Sequence, residues 1–167
     1  MRGFLLLGLV AMSMAAFGQS AVPAAKQAEH HAGVNERGDH AMGFSHEKST
    51  HHFGLTADGG FIEVNANEAA DTQTREQIRM HLTHIAGRFA EGDFDLPMLI
   101  HGTTPPGVPE MQVRKAAIRY TFSETVNGGR VRIRSADADA VSAIHAFLAF
   151  QIKDHGTGDS TAVTPAN

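Results

Sequence analysis

"AAIRYTFSETVNGGRVRIRS", residues 116–135, decides the fold. Ile118, Tyr120 and Phe122 alternate onto one face, and Val131 and Ile133 do the same beyond Asn127-Gly128. Asn-Gly supplies the backbone that a tight hairpin turn requires, so the stretch reads as two antiparallel strands. The pattern has a counterpart upstream in "THHFGLTADGGFIEVNAN" (50–67). There Asp58-Gly59-Gly60 separates two short runs, which predicts a second hairpin over 50–56 and 60–65.

Two helical patterns complete the domain. In "DTQTREQIRMHLTHIAGRFAEGD" (71–93), Ile78, Leu82, Ile85 and Phe89 recur at helical spacing, and Gly92 fits the stop. Thr74 with Gln77 offers a capping box, and Asp71 is a rival start. In "DADAVSAIHAFLAFQIKDHGTGD" (137–159), Val141, Ile144, Leu148 and Ile152 form the stripe, with a cap at Ser135 or Asp137 and Gly156 as the C-terminal glycine. Between the helices, "FDLPMLIHG" (94–102) reads as a short extended piece over 97–101, placing Leu99 and His101 on one parity, before a rigid Pro-rich loop. Hairpins and helices in separate groups predict an α+β fold: an antiparallel sheet of about four to five strands with two helices packed on one face.

The chain has 167 residues, the length of one ordinary domain. Arg2 followed by the apolar run Phe4 to Phe17 reads as a signal peptide, with cleavage expected after Gly18. The run is shorter than the ~20 residues of a spanning helix, so export to the periplasm or medium is expected, with no stable membrane span after cleavage. Residues 19–45, rich in Ala, Gly and charge, read as a flexible arm carrying His30, His31 and His40. The single domain is expected over 46–159, with a disordered tail over 160–167. Removing Arg2 with the leader leaves 13 basic against 18 acidic residues, a net charge of −5. That balance excludes a broad nucleic-acid face. Arg130, Arg132 and Arg134 alternate along one strand and read as an anion patch or, more simply, as a solvated strand face.

The words "THHF" (50–53), "IRMHLTHIA" (78–86), "GDFDLPMLIHG" (92–102), "PPGVPEM" (105–111) and "AIHAFLAFQIKDHGTGD" (143–159) follow one another through the domain. In these words the chain resembles a family of small, largely uncharacterised exported bacterial proteins, over about residues 42–160. Members of that family often carry the label aspartate carbamoyltransferase. That activity is not expected here. A carbamoyltransferase of that class needs two α/β domains and a phosphate-binding S-T-R-type loop, and this chain is too short and has no such loop.

The chemistry rests on histidine. The chain has eleven histidines and no cysteine; three lie in the arm, leaving eight. Imidazole is the commonest protein ligand for transition metals. His81 and His84 lie one turn apart on a helix flank. His51 shares the parity of the apolar Phe53, so His51 is expected inward and His52 outward unless a bulge reverses them. A copper or zinc site is therefore expected from His51, His52, His81, His84 and His101. The alternative is a module for a small apolar ligand or haem, with a pocket drawn from His145, Phe147, Phe150, Met98 and Met111. A third reading is a hydrolase or isomerase using histidine–carboxylate chemistry, although no G-x-S-x-G motif is present. His155 is expected to serve as a charged group at a helix C-terminus.

Overall fold

The computed structural model describes residues 24–166. The proposed signal peptide and its cleavage point lie outside the described residues. Five strands and five α-helices follow in the order α1 (Ala24–Met42), β1 (Ser49–Thr56), β2 (Gly59–Ala66), α2 (Thr72–Ala90), α3 (Asp95–His101), α4 (Val108–Val113), β3 (Ile118–Glu124), β4 (Gly128–Ser135), α5 (Ala138–His155) and β5 (Val163–Thr164). The fold is α+β, as expected. The sheet runs β3-β4-β2-β1-β5; β5 lies parallel to β1, and every other pairing is antiparallel.

Register explains the core. Phe53 lies opposite Ile62, Ile62 opposite Val131, and Val131 opposite Phe122. One apolar row thus crosses four strands on the face that α2 and α5 cover. His51 lies opposite Val64, so its parity carries it onto the same covered face. Gly60 is what lets α5 come close: a Cβ there would meet a Leu148 methyl at 2.3 Å. On the outer face, Arg130 pairs with Glu63 while Arg132 and Arg134 pair with Asp58. Arg130 also sits 4.3 Å over the Phe61 ring. Each arginine of the strand has a carboxylate partner, which favours the solvated-face reading over an anion patch.

The helix ends follow their capping chemistry. Asp71, not Thr74, caps α2, accepting a hydrogen bond from the Thr74 amide at 3.0 Å. Asp137 caps α5 by accepting from the Asp139 and Ala140 amides, and Gly156 ends it with φ +62°. Among the described residues, no helix is long and apolar enough to cross a membrane.

Three local expectations are corrected. Residues 95–101 are helical, not extended. Pro97 falls in the first turn, where its missing N–H is no loss, and Gly102 closes the helix with φ +65°. The change of period separates two residues that strand parity had placed together: Leu99 is 61% exposed, whereas His101 is buried beside Pro97 and Ile100. The arm is likewise not structureless. Residues 24–42 form α1, which packs on α3 and α5 and buries Val34. Arg37 Nε donates to the Ile100 carbonyl at 2.7 Å, which helps to hold the helix down. In the tail, Val163 and Thr164 pair with β1, and Ala57 N–H donates to the Thr164 carbonyl at 2.8 Å.

Candidate functional site: a cavity walled by four histidines

The residues that matter come from six elements. β1 supplies His51 and Phe53, β2 supplies Ile62 and Val64, and α2 supplies His81, Leu82, Ile85 and Phe89. α3 adds Leu96, Pro97, Ile100 and His101; α5 adds Phe147, Gln151 and His155. Met42 at the end of α1 completes a cavity of about 60 Å³. Met42, His51 and His155 also line a neighbouring depression of about 230 Å³ beneath α1, together with Val34, Asn35, Gly38 and His46. These three side chains therefore stand between the inner cavity and the outer depression.

Helical spacing builds the α5 wall. Phe147, Gln151 and His155 are each one turn apart and project from one side of the helix. The His155 ring stacks on His51, centroids 5.5 Å apart and planes 7° apart, and meets the edge of His101 at 5.0 Å. Phe44 lies beside His51 at 6.4 Å and turns its edge-to-face contact to His81 at 5.6 Å.

Burial sets the protonation of these rings. His51 is lowered to about 4, chiefly by burial and then by the His81, His52 and His46 charges. His81 is lowered to about 4 by burial and by His84. His155 falls to about 3, again through burial first, then through His51 and His101, with Asp154 opposing. At neutral pH all three rings are uncharged. The expected role of His155 as a charged group at the helix end is not favoured: packed against the His51 and His101 rings, it is desolvated enough to disfavour a proton.

His101 is held differently. Its Nδ1 lies 2.5 Å from Asp154 and its Nε2 lies 2.9 Å from the Gln151 side-chain oxygen. Asp154 also receives His30 at 2.7 Å, while its backbone carbonyl meets His31 Nδ1 at 2.8 Å. Burial would raise the Asp154 carboxyl, but hydrogen bonds from His101 and His30 outweigh it and hold the group below its ordinary value. Asp154 therefore ties α1, α3 and α5 together at the edge of the cavity.

Of the five expected metal ligands, His51, His81 and His101 line this cavity. His52 does not: strand parity sends it to the other face, where it meets Asp159 at 3.0 Å. Nor does His84, which is exposed with Arg88, Asp95 and Met98 in an adjoining depression that shares His81 and Leu96 with the cavity. Among the described residues, no group of three or more histidine or carboxylate side chains is arranged to hold a metal ion. Of the expected ligand pocket, Phe147 lines the cavity and Phe150 touches His101 edge-on at 5.1 Å. His145 points elsewhere, its Nε2 2.8 Å from the Thr56 carbonyl. Met111 is buried outside the cavity lining, and Met98 belongs to the His84 depression.

Gln151 and His155 are functional candidates that the sequence reading missed. Their signal was present: a glutamine and a histidine at i+4 and i+8 from Phe147 on an otherwise apolar helix. Comparison with protein-family models finds no match, and no curated protein and no solved structure matches the chain.

Proposed function

We propose that the protein binds a small, predominantly apolar molecule in the four-histidine cavity. One observation carries this reading: an apolar-walled cavity whose three flanking imidazoles, His51, His81 and His155, are uncharged at neutral pH. Neutral rings present aromatic faces and carry no charge that would hold an anionic ligand. The volume of about 60 Å³ suits a ligand of a few non-hydrogen atoms, at roughly 10–15 Å³ for each water-sized group. It is well below the ~300–1,000 Å³ of sites for drug-sized ligands, which argues against the haem alternative. The test is titration of isotopically labelled protein with small organic probes, followed by NMR. Shifts confined to Phe53, Ile85, Phe147 and Gln151 are expected; the absence of any saturable shift there would overturn the reading.

A second reading, copper or zinc binding, is favoured by the closeness of His51, His101 and His155, whose neutral or hydrogen-bonded rings lie 5.0–5.5 Å from centroid to centroid in succession. It requires rotation, because both His101 nitrogens already have partners. Calorimetric titration with Cu(II) and Zn(II) tests it. Binding no tighter than that of a His51→Ala/His81→Ala/His101→Ala variant would eliminate it.

Acid–base catalysis would draw on the His101–Asp154 pair. Among the described residues, no serine, threonine or lysine lines the cavity to act as a nucleophile, so binding is the preferred reading. Export belongs to the same proposal. Mass spectrometry of the secreted protein is expected to find Gln19 at its N-terminus.

A further inference from the structure

We infer that the ligand of the four-histidine cavity is a neutral molecule with one hydrogen-bonding oxygen, a small ketone or alcohol, whose oxygen is received by the side-chain amide of Gln151. This rests on the ligand-binding reading above and narrows it to a chemical class.

The carrying observation is an unmet hydrogen bond. Gln151 is only 4% exposed and lines the cavity. Its oxygen meets His101 Nε2 at 2.9 Å, but its nitrogen Nε2 has no partner. A buried polar group without a partner costs about 1–3 kcal/mol, so a partner supplied by a ligand recovers much of that loss. The surroundings restrict where such a partner can come from. Apart from the histidines and Gln151 itself, the cavity lining is aliphatic, aromatic or thioether, with Ile100 and Phe147 among it.

The orientation of the amide follows from its neighbours. Asp154 accepts the Nδ1 proton of His101, which leaves Nε2 facing the glutamine; the Gln151 oxygen pairs with that nitrogen when it too carries a proton, and the amide NH2 pairs with it when it does not. In the orientation with the oxygen toward His101, the amide NH2 is offered to the cavity and asks for an acceptor. If the amide is turned, its oxygen is offered and asks for a donor. A ketone serves the first case and a hydroxyl serves both, whereas a hydrocarbon serves neither.

Charge narrows the class further. Among the described residues, no lysine, arginine, aspartate or glutamate lines the cavity. A carboxylate would enter without a counter-ion among uncharged imidazoles, and an ammonium would enter without a carboxylate. Desolvating either ion without a partner is strongly unfavourable.

The experiment uses four probes of equal carbon count: 2-butanone, 2-butanol, 2-chlorobutane and butyrate. Each is titrated into the full-length protein after leader removal, with NMR shifts of the cavity residues as the readout. The ketone and the alcohol are expected to bind at least five-fold more tightly than 2-chlorobutane, with butyrate weakest. In Gln151→Met and Gln151→Leu, the preference for the ketone and the alcohol over 2-chlorobutane is expected to disappear. The comparison within the unmodified protein needs no variant, so a folding defect in either substitution leaves the inference open to refutation. Equal binding of 2-chlorobutane and 2-butanone by the unmodified protein would overturn the oxygen inference and leave the ligand-binding reading standing. Tightest binding by butyrate would overturn the neutral class. Failure of all four probes to shift cavity residues would overturn both.

Discussion

The imidazole rings of His51 and His155 lie face to face, 5.5 Å apart with 7° between their planes, although 104 positions separate them in the chain. One ring comes from the first strand and the other from the last turn of α5. Neither can take up a proton without placing a charge against its neighbour. This gives the molecule a defined response to acid.

Stability should fall as pH drops from about 6.5 toward 4. An unfolded histidine titrates near 6.5, while His51 and His81 titrate near 4 and His155 near 3 in the folded chain. Between those values the unfolded chain binds more protons, so stability rises with pH there and is complete above about 6.5. Each ring contributes a slope of at most about 1.4 kcal/mol per pH unit. The depressed carboxylates, Asp154 among them, act lower, because their contribution is present above the ordinary carboxylate pKa and is lost only below it. Urea denaturation at half-unit pH steps measures the slope, and His155→Leu should flatten it. A flat profile between pH 6.5 and 4 in the unmodified protein would contradict the buried neutral rings.

Asp154→Asn should loosen α1. The carboxylate receives both His30 and His101, and the substitution leaves His101 with a weaker partner. A loss of about 1–3 kcal/mol is expected, the scale of a hydrogen bond to a charged group. Hydrogen exchange should accelerate first in residues 24–42. Uniform acceleration throughout the sheet instead would show that Asp154 supports the whole core and not the α1 contact.

Gly107→Ala should destabilise the fold by about 2 kcal/mol or more. Gly107 has φ +84°, and an added Cβ would stand 2.1 Å from the Ala143 carbonyl oxygen of α5. Left-handed strain and a backbone clash both oppose the side chain, each on the order of 1–3 kcal/mol. The midpoint of thermal unfolding is the measurement. Gly87→Ala is the control, because a Cβ there meets nothing within 4 Å and Ala favours the helix.

His52→Ala and His84→Ala should leave ligand binding unchanged to within two-fold. His52 sits on the opposite sheet face with Asp159, and His84 is exposed outside the cavity lining, in the adjoining depression. Each should change stability by less than about 1 kcal/mol, as exposed polar groups do. In the same NMR titrations, His51→Ala and His155→Ala should alter affinity by more than five-fold. Equal effects in all four variants would mean that binding does not occur in this cavity.

Local chemistry made much of this molecule legible in its sequence. Period-two alternation with Asn127-Gly128 and Asp58-Gly59-Gly60 determined both hairpins, and the apolar stripes of 78–89 and 141–152 determined the two helices that cover the sheet. The inward turn of His51 followed from its parity with Phe53. Where a segment's signal was weak or conflicting, neighbours decided. Residues 95–101 offered too short a run to distinguish strand from helix, and the apolar face of α1 has little meaning until α3 and α5 are there to cover it. The site itself belongs to tertiary structure. Sequence named the histidines, but periodicity places a side chain only within its own element. Which of them converge depends on how β1, α2, α3 and α5 cross over one another. That packing brought His155 onto His51, sent His52 and His84 away, and left one amide of Gln151 facing an apolar cavity without a partner.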